Sequence, residues 1–187
     1  MQTIRPLYHG TNAKFNHFDL NKVKIKNDNY GGPVYLADDF NVAKNYAKAA
    51  AKSGGDRIVM ELGLRTAKLF DTRHVFTHKE LTQFYKASDV EDFARGSGLL
   101  SLGADKYAVI QSLEDGTAFI SGDAVFKGLS RGNVNTLKAR KKLQQLGYDA
   151  LCYEFKGTMV FCPYRSENIV TLKHFIIGQN GDYKLAA

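Results

Sequence analysis

Three observations predict an α+β fold. Short apolar strand patterns gather toward both ends of the chain, a helix-patterned stretch broken by glycines lies between them, and an amphipathic helix leads directly into a hairpin pattern. At 187 residues the chain can bury one substantial core. A single domain over 1–187 is therefore expected, with residues about 72–130 as a largely helical insertion.

The elements follow in order. Residues 3–8 alternate and end at His9-Gly10, where glycine permits a turn or a close approach. Phe15, Phe18 and Leu20 anchor the next loop at the mouth of any pocket there. Pro33 to Ala37 reads as a short strand, Asp38 and Asp39 stand where a helix N-cap belongs, and Val42, Ala43, Tyr46, Ala47 and Ala50 recur at helical spacing until Ser53-Gly54-Gly55. Residues 57–64 form a strand, and Lys68 to Asp71 another. From Thr72 to Arg95 the pattern is helical, with Leu81, Phe84, Tyr85, Val90 and Phe93 facing inward; residues 106–130 fit either helix or strand. Asn133 to Leu146 predicts an amphipathic helix with Val134, Leu137, Leu143 and Leu146 inward and a basic outer face. Tyr148 to Phe155 and Thr158 to Pro163 flank the Lys156-Gly157 turn as a hairpin, Ile169 to Ile177 is the last strand, and the tail from Gly178 is expected to fray.

Composition narrows the function classes. No apolar run approaches the ~20 residues that cross a bilayer, no leader peptide is expected, and the two cysteines, Cys152 and Cys162, supply neither a disulfide framework nor zinc spacing. A cytoplasmic protein without a metal or a membrane is the expectation. A net charge of +7 favours anionic partners, and part of it is clustered: Lys14, Lys22, Lys24 and Lys26 in one loop, and Arg131, Lys138, Arg140, Lys141 and Lys142 around one helix. Nucleic acid fits that clustering, with solubility as the plain alternative.

The chemistry gathers in the first fifty residues. In Tyr8-His9-Gly10-Thr11, Gly10 can offer its backbone N–H and C=O to a primary amide while His9 donates to a sugar hydroxyl; alone, such a histidine more often caps a turn. Tyr35 on a strand and Tyr46 on the following helix can stand on either side of a flat ring; alone, they read as core aromatics.

Together these motifs resemble the ADP-ribosyltransferases of the poly(ADP-ribose) polymerase and diphtheria-toxin-like type. The chain is especially similar to small domains of phage and mobile-element polyvalent proteins, which share Tyr-His-Gly-Thr, Phe-x-x-Phe-Asp (here Phe15, Phe18, Asp19), Tyr-Leu-Ala (Tyr35, Leu36, Ala37) and a Tyr-Ala helix (Tyr46, Ala47). The likeness covers residues 7–50 well, residues 148–172 around the hairpin moderately, and the middle hardly at all. It implies a split β-sheet core flanked by helices, with NAD as co-substrate. It also implies that His9 holds the ribose, that Gly10, Thr11, Leu36 and Ala43 help line the site, and that Tyr35 and Tyr46 sandwich nicotinamide. The family's third motif places a glutamate on a late strand, where this chain has Gly157 with Thr158 beside it. Glu154 is the candidate substitute, an exposed strand residue the alternative. The resemblance therefore implies mono-ADP-ribosylation of nucleic acid (RNA favoured) or of a nucleic-acid-associated protein, by a toxin or phage-conflict factor with a possible antitoxin. A non-catalytic NAD- or ADP-ribose-binding or partner-binding module is the alternative, and an RNA 2-phosphotransferase a further one.

Overall fold

The computed structural model describes residues 1–20, 22–23, 30–101 and 103–186. These divide into two compact units. The first holds the described residues within Met1–Lys24, Pro33–Leu69 and Asp149–Ala187; the second holds those within Ile25–Gly32 together with Phe70–Tyr148. The stretch expected as an insertion and the basic helix both belong to the second unit. Mixed α+β structure, as expected, runs through the chain.

In the first unit the strands are β1 (Gln2–Thr11), β2 (Leu36–Ala37), β3 (Ile58–Thr66) and, after the chain has passed through the second unit, β7 (Ala150–Phe155), β8 (Thr158–Pro163), β9 (Ile169–Ile177) and β10 (Tyr183–Leu185). They lie in the order β10-β9-β3-β1-β2-β8-β7, with Leu69 of β4 (Leu69–Asp71) at the far edge. Neighbouring pairs from β10 to β7 are antiparallel. β3 is central and reads as a nearly unbroken buried run because both of its faces are covered. Leu7, Met60, Leu62, Leu64, Cys152 and Phe161 pack in the core on one side, and Val59 with Ala43, Ala47 and Ile177 on the other.

The sheet is held across its middle by very little. β2 is two residues long, pairing with β1 at Tyr8↔Ala37 and with β8 at Leu36↔Phe161 and Ala37↔Val160. Pro33, Val34 and Tyr35, expected in this strand, lie outside it, just before β2. β1 continues past Tyr8 to Thr11 paired only to β3, so the edge that would face β2 opens at His9. Asp38 makes the join firm: its amide donates to the Met159 carbonyl at 3.1 Å, and its carboxylate accepts from the Met159 amide at 3.0 Å.

Helix α1 (Phe40–Ala50) starts because Asp39 caps it, accepting from the Asn41 amide at 2.7 Å, an interaction worth ~1 kcal/mol. A 3-10 turn over Ala51–Ser53 and Gly54 end it. The tail does not fray as expected: β10 pairs with β9, and Tyr183 packs its ring on Phe40 and Phe175 at 5.0 and 5.8 Å. Cys152 and Cys162 are buried, are not joined in a disulfide, and stand one residue out of register across the hairpin, so they face opposite sides of the sheet.

The second unit is α2 (His78–Leu81), α3 (Val90–Gly96), α4 (Lys106–Glu114), α5 (Gly122–Ser130) and α6 (Thr136–Gln145), with a ladder of β5 (Val75–Phe76) and β6 (Ile120–Ser121). Residues 72–95, expected to be helical, instead split into β5, α2, a 3-10 turn and α3, because Val75 and Phe76 find their partners in Ser121 and Ile120 far along the chain. Phe70, Phe76, Phe84 and Tyr148 form the aromatic centre of this unit. The basic helix differs from expectation in its inward face. Val134 precedes the helix and is 73% exposed, Leu137 is 40% exposed, and Thr136, Ala139, Arg140 and Leu143 are the residues buried.

Candidate functional site

Where β1 runs past the end of β2, a cavity of about 360 Å³ opens in the first unit, within the ~300–1,000 Å³ range of small-molecule sites. His9, Gly10, Tyr35, Ala43 and Tyr46, all expected at a site, line it. So do Phe15 and Phe18, the loop aromatics expected at its mouth. Their loop is tied to the body: the Phe15 carbonyl accepts from His174 Nε2 at 2.9 Å, the Asn16 carbonyl from the Thr171 hydroxyl at 3.1 Å, and the Leu20 amide donates to Ser166 Oγ at 3.0 Å. Of the lysines expected in this loop, Lys22 pairs with Asp19 at 3.1 Å, while Lys24 and Lys26 lie outside the described residues.

His9 has a defined protonation pattern. Its Nδ1 lies 3.0 Å from the Tyr35 carbonyl oxygen; a carbonyl only accepts, so Nδ1 carries the proton. Burial pushes the imidazole pKa below its ordinary value, against the opposing pull of that carbonyl. The ring is therefore neutral near pH 7, and Nε2 presents a lone pair. This reverses one expectation: His9 spends its donor on Tyr35, so Nε2 can act toward a hydroxyl only as an acceptor. An edge-to-face contact with Phe18 at 5.5 Å fixes the ring further.

Gly10, which lines the cavity, is also where two elements approach closely. A Cβ there would stand 2.0 Å from the Ala43 carbonyl oxygen and 2.6 Å from the Ala47 nitrogen. The missing side chain lets α1 press directly against β1, and this contact carries Ala43 and Tyr46 to the cavity wall.

Several wall residues were missed by sequence reasoning: Tyr8, Tyr153, Phe155, Thr158 and Val160. Tyr8 keeps its phenol protonated well into alkaline pH, because burial, then Glu61, then Tyr183 raise its pKa. The hairpin register explains the others. Tyr153 faces Val160 and Phe155 faces Thr158, so alternate residues of both strands turn to the cavity.

The same alternation removes Glu154. It pairs with Met159, is exposed, and lies on the face opposite Tyr153 and Phe155, so its carboxylate does not line the cavity. Leu36 is fully buried in the core and does not line it either. Thr11 lies beyond the cavity, its hydroxyl accepting from the Ala13 amide at 3.3 Å. No carboxylate is among the described lining residues, and no metal-binding cluster occurs among the described residues of the chain. The cavity is an aromatic, nearly uncharged slot with one neutral imidazole acceptor. It suits a flat polar ring joined to a hydroxylated sugar.

Among the described residues no helix is long and apolar enough to cross a membrane. No family model, curated protein or solved structure matches the chain.

Proposed function

We propose that the aromatic cavity binds the nicotinamide-ribose half of NAD and that the protein is an NAD-dependent mono-ADP-ribosyltransferase. One observation carries the reading: His9, Gly10, Tyr35, Ala43 and Tyr46, which resemble an ADP-ribosyltransferase pattern in sequence, line one cavity. Tyr35 and Tyr46 flank the nicotinamide ring, and His9 Nε2 accepts from a ribose hydroxyl. In this reading the sheet, joined across its middle by β2 alone, is the family's split core.

The chemistry asks mainly for grip. The bond between ribose C1′ and the nicotinamide nitrogen breaks, its electron pair leaves with nicotinamide, and an acceptor oxygen or nitrogen bonds to C1′ and releases its proton to solvent. Orientation supplies much of the rate, and tyrosine faces stabilise the transient sugar cation. A carboxylate to orient a second ADP-ribose is not among the described lining residues, which favours a single transfer. The basic charge supports a nucleic-acid acceptor, RNA favoured, or a protein bound to nucleic acid. A toxin or phage-conflict role in the cytoplasm, with an antitoxin partner, belongs to the same proposal.

The lack of a carboxylate among the described lining residues favours one second reading, a module that binds NAD or ADP-ribose without turning it over. Incubation with adenylate-labelled NAD and RNA, DNA or cell protein separates the two. Label transferred to an acceptor, with nicotinamide released, and both lost in His9→Ala and Tyr35→Ala, supports transfer. Calorimetric NAD binding with no nicotinamide release supports the binding module, and absence of both sinks the NAD reading.

A further inference from the structure

The second unit has a cavity of its own, about 410 Å³, built wholly from its own residues. Its apolar lining includes Phe84 and Phe93, both buried, and Tyr85, half-buried. Phe93 sits on Gly128, where a Cβ would come within 2.6 Å of its ring, and Tyr85 is held beside Phe93 at 4.7 Å with its hydroxyl donating to the Leu113 carbonyl at 3.3 Å. The apolar lining is thus a fixed surface.

Cations surround it. Lys138, Lys141 and Lys142 project from one side of α6 at the i, i+3, i+4 spacing that places side chains together, and Lys86 comes from the segment between α2 and α3. None of these four ammonium groups forms an ion pair among the described residues. Elsewhere on the unit the rule is the opposite: Lys106 and Arg95 share Glu91 at 2.8 and 3.0 Å, and Lys127 holds Asp123 at 2.7 Å. Among the described residues of this unit the four unpaired lysines stand together around this cavity, whereas Lys79, which forms no ion pair either, does not line it.

Two carboxylates also line it. Asp92 is neutralised by Arg131 at 3.3 Å, and Asp89 accepts from the Ser88 hydroxyl at 3.3 Å. Arg131 holds a left-handed backbone (φ 54°) at the end of α5, a conformation that glycine takes more easily than arginine. The observed strain places a guanidinium at the cavity edge.

We infer that this cavity is a binding site for single-stranded nucleic acid, with the four lysines on successive phosphates and a base against the apolar lining. An acidic protein segment would satisfy the lysines but would leave the aromatic floor and the acceptors of Asp89 and Gln145 unused. A base uses both, since Asp89 and Gln145 offer acceptors to an exocyclic amine. The inference stands without the NAD reading, because binding here requires no transfer.

Fluorescence polarisation with a labelled single-stranded 12-mer RNA tests it, beside DNA of the same sequence, the matching duplex, an abasic 12-mer and a polyglutamate peptide. Four lysine contacts to a single strand predict a log–log salt slope of about −2.8, or about 50-fold weaker binding at 200 mM than at 50 mM salt. The quadruple variant Lys86→Gln, Lys138→Gln, Lys141→Gln and Lys142→Gln should flatten the slope toward zero without changing the circular dichroism spectrum, and Lys184→Gln, at an exposed lysine of the first unit, should change neither. The abasic strand should bind at least about five-fold more weakly, as the loss of one stacked base requires. An unchanged slope in the quadruple variant, equal binding of the abasic strand, or tighter binding of duplex or polyglutamate would overturn the inference. Preference between RNA and DNA in the single-stranded arms decides which of the two the site takes.

Discussion

Substituting Gly10 by alanine tests whether the first cavity depends on the contact between α1 and β1. Alanine in a strand interior normally gains ~0.5–1 kcal/mol over glycine through chain entropy. Here the added methyl would lie 2.0 Å from one backbone atom of α1 and 2.6 Å from another. A methyl needs well over 3 Å from a backbone oxygen, so the helix must retreat by more than an ångström, or the strand must. Overpacking costs ~1–3 kcal/mol, and the upper end applies because the obstacle is backbone. The net loss is about 2 kcal/mol, which at a urea m-value of ~2 kcal/mol/M lowers the midpoint by about 1 M. Gly63→Ala on β3 is the control, its Cβ meeting only Thr3 at 3.7 Å and Val170 at 4.0 Å; its midpoint should hold or rise slightly. Because the helix carries Ala43 and Tyr46, Gly10→Ala should also weaken NAD binding in calorimetry. A Gly10→Ala midpoint equal to wild type would refute the close-approach argument.

The remaining expectations concern the same unit. His9 has a folded pKa below its ordinary value of 6.5, so the unfolded chain takes up the proton first. The stability difference between wild type and His9→Gln, read from urea midpoints, should be flat above about pH 6.5 and fall at lower pH by at most ~1.4 kcal/mol per unit; a constant difference from pH 7.5 to 5 would count against a neutral buried ring. Asp149, buried, accepts from the Thr66 hydroxyl and from the Ala67 amide at 2.8 Å, so Asp149→Ala should cost roughly 3 kcal/mol in the same assay, and a loss below about 1 kcal/mol would show the bonds to be dispensable. Glu154→Gln should leave NAD affinity and nicotinamide release unchanged; a ten-fold drop in release would put the carboxylate at the site after all. Thr158→Glu should raise nicotinamide release of the order of 10²-fold by setting a carboxylate beside the developing cation, with Thr158→Gln as control; NAD binding without any rise would separate residue 158 from the ribose.

Sequence pattern reached the fold wherever local periodicity and local partners coincide. β1, β3, the hairpin and β9 carry local apolar strand patterns, and Asp39 and Gly54 punctuate α1. It failed where a distant partner decides. Nothing local separates Val75-Phe76 from a helix until Ile120-Ser121 arrives to pair with it. Val134 has a helical phase with Leu137, but Asn135 caps α6 by accepting from the Lys138 amide at 3.0 Å, so the helix begins after Val134 and turns Ala139 and Leu143 inward. The tail became a strand because Tyr183 finds Phe40 and Phe175 across the first unit.

For the candidate site, the decisive quantity was strand parity. Tyr35, Tyr46, His9 and Gly10 were legible because their residue types are unusual together, and composition of that kind survives errors of a residue or two in element boundaries. Glu154 was not, because a one-residue step along a strand exchanges one face for the other. The hairpin turn at Lys156-Gly157, with φ of 52° and 78°, fixes which residues face each other. Once Phe155 is set opposite Thr158, Tyr153 and Val160 must join them at the cavity and Glu154 must leave with Met159. A register argument carried from that turn would have identified Tyr153, Phe155 and Thr158 as wall residues without coordinates. It would also have moved the question of a carboxylate from Glu154 to the only polar cavity-facing position of β8, which is Thr158.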